Sequence, residues 1–129
     1  MEYYLEIEST ESSPYVLIDE SKQYMKIKGP SFDNDFLDKH NDIDACLTSF
    51  LDKGFECFTL DVELYNINIA TVIYIVLIMQ KLEATIKENK QKAVVNWYST
   101  RTEIEVIQCG KDLKKNTKVL EFNLIINEE

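Results

Sequence analysis

The sequence predicts an α/β fold, a mixed β-sheet of about five to six strands flanked by helices, and three observations lead to it. The chain has 129 residues, the size of one domain, and no linker or repeat divides it, so residues 1–129 are expected to form a single unit. Short segments of alternating polarity are interleaved with segments of helical spacing in the order β-β-β-α-β-α-β-α-β. In the second half each strand is followed by a helix and then another strand, which is the arrangement of a parallel crossover.

Tyr3 to Glu8, Tyr15 to Ile18 and Tyr24 to Lys28 read as strands. Ser12-Ser13-Pro14 precedes the second, and Asp19-Glu20-Ser21-Lys22 joins it to the third as a hairpin. Gly29-Pro30 ends strand geometry, because proline lacks the ladder donor. From about Asp35 to Lys53, Phe36, Ile43, Leu47, Phe50 and Leu51 recur at helical spacing, and Gly54 suits the position just past a helix end. Phe58, Leu60, Val62 and Leu64 alternate with Cys57, Thr59, Asp61 and Glu63 in the next strand, which Asn66 and Asn68 terminate.

Asn68 is expected to cap a second helix running to about Asn89. Its apolar run from Ile69 to Met79 covers 11 residues, short of the ~20 that span a bilayer, and a transmembrane reading is set aside. Val72, Ile75, Val76, Met79, Leu82 and Ile86 share one stripe, the expected core face. Ala93 to Tyr98 then reads as a buried strand. Thr102 with Glu105 suggests a capping box opening a third helix that carries Ile104 and Ile107 to about Leu113, and Leu120 to Ile126 completes the sheet.

Composition narrows the function. Fourteen Lys+Arg face 23 Asp+Glu, a net charge of −9. Nucleic acid and anionic membrane surfaces are bound through clustered cations, so neither is an expected partner. Cys46, Cys57 and Cys109 are unpaired in spacing and read as buried reduced thiols, and no basic and apolar leader opens the chain; both features suit a cytoplasmic protein. His40 is the only histidine and sits among polar residues, which reads as an exposed helix position. Asp33-Asn34-Asp35 reads as helix-capping rather than as a calcium loop, which needs further ligands. Three glycines leave no phosphate-binding loop, and the sequence implies no cofactor and no metal site. Asp61 and Glu63 share a strand face, but no partner acid is evident. An enzyme or small-molecule binding domain with a pocket near Asp61, Glu63 and Asn96 is therefore the competing reading to a non-enzymatic protein.

The second helix is more apolar than a one-sided surface helix. With its stripe on the sheet, Ile73, Tyr74, Leu77 and Ile78 remain on the flanks and outside, where they either pack under another part of the chain or form a protein interface. Trp97 and Tyr98, at a strand end, belong either to that interface or to the core. A homodimer built through this helix is a further alternative.

Several motifs in order carry a resemblance to a known family. Ser13-Pro14 stands before a strand, Gly29-Pro30-Ser31-Phe32 forms a turn, and Leu60-Asp61-Val62-Glu63-Leu64 leads into Asn68. Lys81-Leu82-Glu83, Val95-Asn96-Trp97-Tyr98 and Gly110-Lys111-Asp112-Leu113 follow. With these, the chain from about Ser12 to Phe122 resembles the SiaC family of bacterial regulatory phosphoproteins, whose fold is similar to the STAS domain. The resemblance implies a STAS-like domain and a non-enzymatic module of a partner switch. In that family a threonine after the Asn is phosphorylated by a Ser/Thr kinase and restored by a PP2C-type phosphatase. The unmodified protein binds a target such as a diguanylate cyclase. Here Asn68 matches, but Ile69 stands at the phosphothreonine position, Ala70 fits, and Thr71 is the next hydroxyl; Val72 and Ile73 replace Ser and Lys. Either Thr71 is the acceptor, or the chain is a divergent member held in one binding state. The resemblance and the apolar face together place partner binding at Asn68, Ile69, Thr71, Ile73, Tyr74, Leu77, Ile78, Trp97 and Tyr98.

Overall fold

The computed structural model describes residues 3–32, 40–89 and 91–127. Six strands form one sheet in sequential order: β1 (Tyr4–Ile7), β2 (Tyr15–Asp19), β3 (Tyr24–Gly29), β4 (Cys57–Leu64), β5 (Lys92–Thr100) and β6 (Glu121–Asn127). β1, β2 and β3 pair antiparallel, and β3 through β6 pair parallel. Among the described residues three helices lie in the parallel crossovers: α1 (His40–Lys53), α2 (Ile69–Asn89) and α3 (Ile104–Lys115). Because each parallel strand is laid next to the preceding one, right-handed crossovers carry all three helices to one face.

Burial follows that geometry. Val16, Ile27, Val62 and Trp97 lie on one rung facing the helices and are fully buried. The opposite face stays half-exposed along β2, β3, β4 and β5, so the expected buried strand at Ala93–Tyr98 is buried on one side alone. The β2–β3 hairpin forms as expected, turning through a short 3₁₀ segment with Gln23 in the left-handed region. Gly54 takes φ +89° and donates its N–H to Leu51, closing α1 as its position suggested. The expected start of α1 at Asp35 with Phe36, and the capping role of Asp33-Asn34-Asp35, lie outside the described residues, as does the side chain of His40.

Trp97 fixes α3. Its indole Nε1 donates to the Val106 carbonyl at 2.9 Å, and its ring packs beneath Gly110. A Cβ on Gly110 would stand 2.5 Å from the indole, so glycine is what lets the helix approach this closely. The capping box expected from Thr102 and Glu105 does not form. Glu103 turns back instead and accepts from the Thr100 backbone N–H at 3.1 Å and hydroxyl at 3.0 Å. The helix carries Ile104 and Ile107 as expected, but it is Val106 and Gly110 that face the core, leaving Ile104 74% exposed and Ile107 half-buried.

Helix α2 rests on the sheet through Ile75, Ile78 and Leu82. Over Ile69–Ile86 its mean hydropathy of 1.7 would suit a membrane span, a longer apolar stretch than the run from Ile69 to Met79 suggested. In this fold 39% of that stretch is buried, and Ile69, Ile73 and Leu77 within it stay exposed. The thiols are free, but Cys57 begins β4 exposed and Cys46 and Cys109 are half-buried, where burial of all three was expected.

Candidate functional site

The sequence-predicted site centres on the start of α2. Asn68 caps the helix, its Oδ1 accepting from the N–H groups of Ala70 at 2.9 Å and Thr71 at 3.4 Å. Ile69 follows with its side chain 74% exposed; Ile73 and Leu77, one and two turns on, are 55% and 53% exposed. These three residues at i, i+4 and i+8 form an outward ridge.

Thr71 points the other way. It is 1% exposed, and its hydroxyl meets the Ser31 hydroxyl at 2.6 Å. Asn66 fastens the same turn, accepting from Ser31 N–H at 2.8 Å and donating to its carbonyl at 2.7 Å. The turn Gly29-Pro30-Ser31-Phe32 is thereby pinned to the helix start, and Phe32 projects 67% exposed. Ser31 and Asn66 were missed in the sequence as site residues; a polar residue on the core face of an apolar helix, which needs a partner, was the signal that pointed to them.

Tyr74 and Ile78, expected on the outer flank, are buried. Tyr74 donates its hydroxyl to Asp44 on α1, and burial followed by that carboxylate holds the phenol well above its ordinary pKa, so it remains neutral. Val72 and Val76, expected in the core, are only half-buried. The reason is that α2 is turned about its axis toward α1, which opens a valley beside α3. Trp97 is wholly buried in the core rather than on a docking surface, while Tyr98 lies on the bare sheet face.

The valley between α2 and α3 opens as two adjoining grooves. One, of about 510 Å³, has Ile67, Ile69, Val72, Ile73, Cys109 and Leu113 on its walls and Glu105, Gln108 and Asp112 along its rim. The other, of about 600 Å³, shares Leu113 and runs past Val76, Met79 and Ala84 to Lys118 and Val119. Burial, then Asp112, pushes the Cys109 thiol above its ordinary pKa, so it stays protonated at neutral pH.

Asp61, Glu63 and Asn96 do come together on the bare sheet face, but not around a pocket. Tyr24 donates to Asp61 at 2.6 Å, Asn96 donates to Asp61 at 2.9 Å, and Asn123 donates to Asn96 at 3.0 Å, a ladder across four strands. Burial and then Asp61 keep Tyr24 protonated. The accompanying depression of about 120 Å³ lies well below the ~300 Å³ at which small-molecule sites begin.

The fold thus combines an α/β sheet bare on one face with an exposed apolar ridge beside the Asn68-capped start of α2, a surface of the kind found at protein interfaces. Residues 7–127 match the SiaC family of regulatory phosphoproteins, and the chain belongs to that family. Among solved structures it is similar to SiaC of Pseudomonas aeruginosa, at 18% identity and a TM-score of 0.83, covering 96% of this chain and 98% of that one. It is equally similar to a chain in the crystal structure of the diguanylate cyclase SiaD in complex with its activator SiaC from the same organism. That match has 18% identity, a TM-score of 0.85, and coverage of 95% and 99%. No curated protein matches the sequence.

Proposed function

We propose that residues 1–129 form a non-enzymatic, cytoplasmic protein-binding regulator that docks a partner through the Ile69–Ile73–Leu77 ridge and stays in one binding state. The observation that carries this is the pairing of an exposed Ile69 at the family's phosphothreonine position with a Thr71 hydroxyl sealed against Ser31. A phosphate on the exposed position would add charge to an apolar surface and release the partner. Isoleucine has no hydroxyl to carry one, and a kinase would have to unwind the first turn of α2 to reach Thr71. Control by a Ser/Thr kinase and a PP2C-type phosphatase is therefore lost at this helix start. By analogy with the complex of SiaD and its activator SiaC, the partner is a diguanylate cyclase.

The competing reading, a pocket near Asp61, Glu63 and Asn96, finds only a shallow face there. The test replaces residues that carry no core burden. With Ile73→Glu and Leu77→Glu together, the protein keeps its folded spectrum and loses capture and activation of the host's diguanylate cyclase. Retention of both by the folded variant overturns the reading. Light scattering separates the remaining alternative, a homodimer through α2, from a monomer.

A further inference from the structure

We infer that the valley between α2 and α3 receives a basic amphipathic helix of the partner, an inference that rests on the docking role proposed above and specifies its ligand. Three observations carry it. The valley runs alongside α2 from Ile69 to Ala84, roughly 22 Å at 1.5 Å per residue, the length of a helix of about four turns. An apolar strip runs along it, through Ile69, Val72 and Ile73, then Leu113, then Val76 and Met79, with Gln80, Glu83, Asn116 and Thr117 polar toward the far end, which suits an amphipathic helix whose apolar face repeats at i, i+3, i+4 and i+7.

Charge selects the occupant. Glu105 and Asp112, seven residues apart on one face of α3, stand along the rim of the first groove, and no residue lining that groove is Lys or Arg. The chain as a whole carries −9. A second copy would bring its own acidic rim and its own excess of negative charge, and an anionic membrane would be repelled in the same way. A helix with Lys or Arg flanking its apolar stripe meets the rim with opposite sign. Lys118 and Glu83 both line the far end of the valley, whereas the Glu105 end has acidic residues without a cation, so the basic residues of the incoming helix belong at the Glu105 end.

Cys109 supplies a reporter inside the groove, and Cys57, exposed at the start of β4 on the bare sheet face, supplies an internal control. The experiment uses the full chain and two synthetic helices of about 15 residues with the same leucine face, one flanked by Lys and Arg and one by Glu. Binding is followed by fluorescence anisotropy, and thiol alkylation is followed by peptide mapping. The basic helix is expected to bind and to slow alkylation at Cys109 several-fold while leaving Cys57 unchanged. Raising the salt should weaken it, and Glu105→Lys with Asp112→Lys should weaken it about tenfold while improving the acidic helix. Both substitutions are at exposed positions, so the fold is not at stake.

Equal binding of both helices, or binding that leaves Cys109 unprotected, overturns the inference. So does protection of Cys109 by a second copy, seen as a dimer in light scattering, or by anionic vesicles. Loss of cyclase capture in the Ile73→Glu, Leu77→Glu protein beside an indifferent Cys109 would leave the docking role standing and remove the helix from the valley. Retained capture in that protein removes the docking role itself.

Discussion

Thr71 shows how a single side chain decides what the helix start can do. Its hydroxyl is paired with that of Ser31 inside the core, so each satisfies the other. Removing one partner strands a buried hydroxyl, and Thr71→Val is expected to cost about 1–3 kcal/mol in urea denaturation. Replacing both, with Ser31→Ala added, should cost less than the two single changes summed, because no orphaned group remains. Additive losses would show that the pair is not coupled. Gly110 makes a comparable case, since a methyl there would press on the Trp97 indole. Gly110→Ala should lower stability by about 1–3 kcal/mol even though alanine favours helix, and an unchanged unfolding midpoint would contradict the packing described. Asn68 was readable as a cap because its type and place before an apolar run suffice. The Ser31–Thr71 contact was not, because it joins residues 40 apart and no local pattern encodes that distance.

Among the elements, α2 is held from both ends. At its far end Glu83 accepts from the backbone N–H of Lys118 at 2.8 Å and of Val119 at 3.0 Å, tying the α3–β6 connection to the helix. Burial raises this carboxyl's pKa, but the donors of Val119, Lys118 and Leu120 together outweigh it and hold the pKa below the ordinary carboxylate range. A depressed folded-state pKa stabilises the fold above the unfolded value of about 4.3, and that contribution disappears as pH falls through the folded value. Stability measured from about pH 6 down to about pH 3 should therefore fall less steeply in Glu83→Gln than in the wild type. Parallel acid limbs would contradict the tie. At this scale periodicity located the strands and helices of the described residues, and Ile75, Met79, Leu82 and Ile86 of the expected α2 stripe are buried, but the core face extends to Tyr74 and Ile78 and leaves Val72 and Val76 half-buried. The helix is apolar nearly all round, so its pattern contains little information on which side meets the sheet; α1 decides it by packing on Tyr74 and Ile78. The burial of Trp97 was left open for a similar reason, since an aromatic residue at a strand end suits a core or an interface equally until the neighbouring helix is placed.

At the scale of the whole molecule, the sequential strand order sends the three described helices to one side and leaves Ile69, Ile73 and Leu77 of α2 exposed on that layer. The family was readable from motifs spread along the chain, and residues 7–127 do match it. At the helix start this chain departs from that pattern at Ile69, where the acceptor hydroxyl is gone, and again at Val72 and Ile73. Restoring the hydroxyl there should restore a switch: Ile69→Thr places an exposed acceptor at the helix start, where a phosphate is favoured by the helix dipole and disfavoured by an apolar partner. The most direct measurement is the affinity of the chain for the diguanylate cyclase proposed as its partner, before and after treatment with a Ser/Thr kinase of the host. The wild type is predicted to take up no phosphate at Thr71 and to bind equally in both states, while Ile69→Thr takes up phosphate and releases the partner. Phosphate on Thr71 of the wild type, accompanied by loss of binding, would contradict the account.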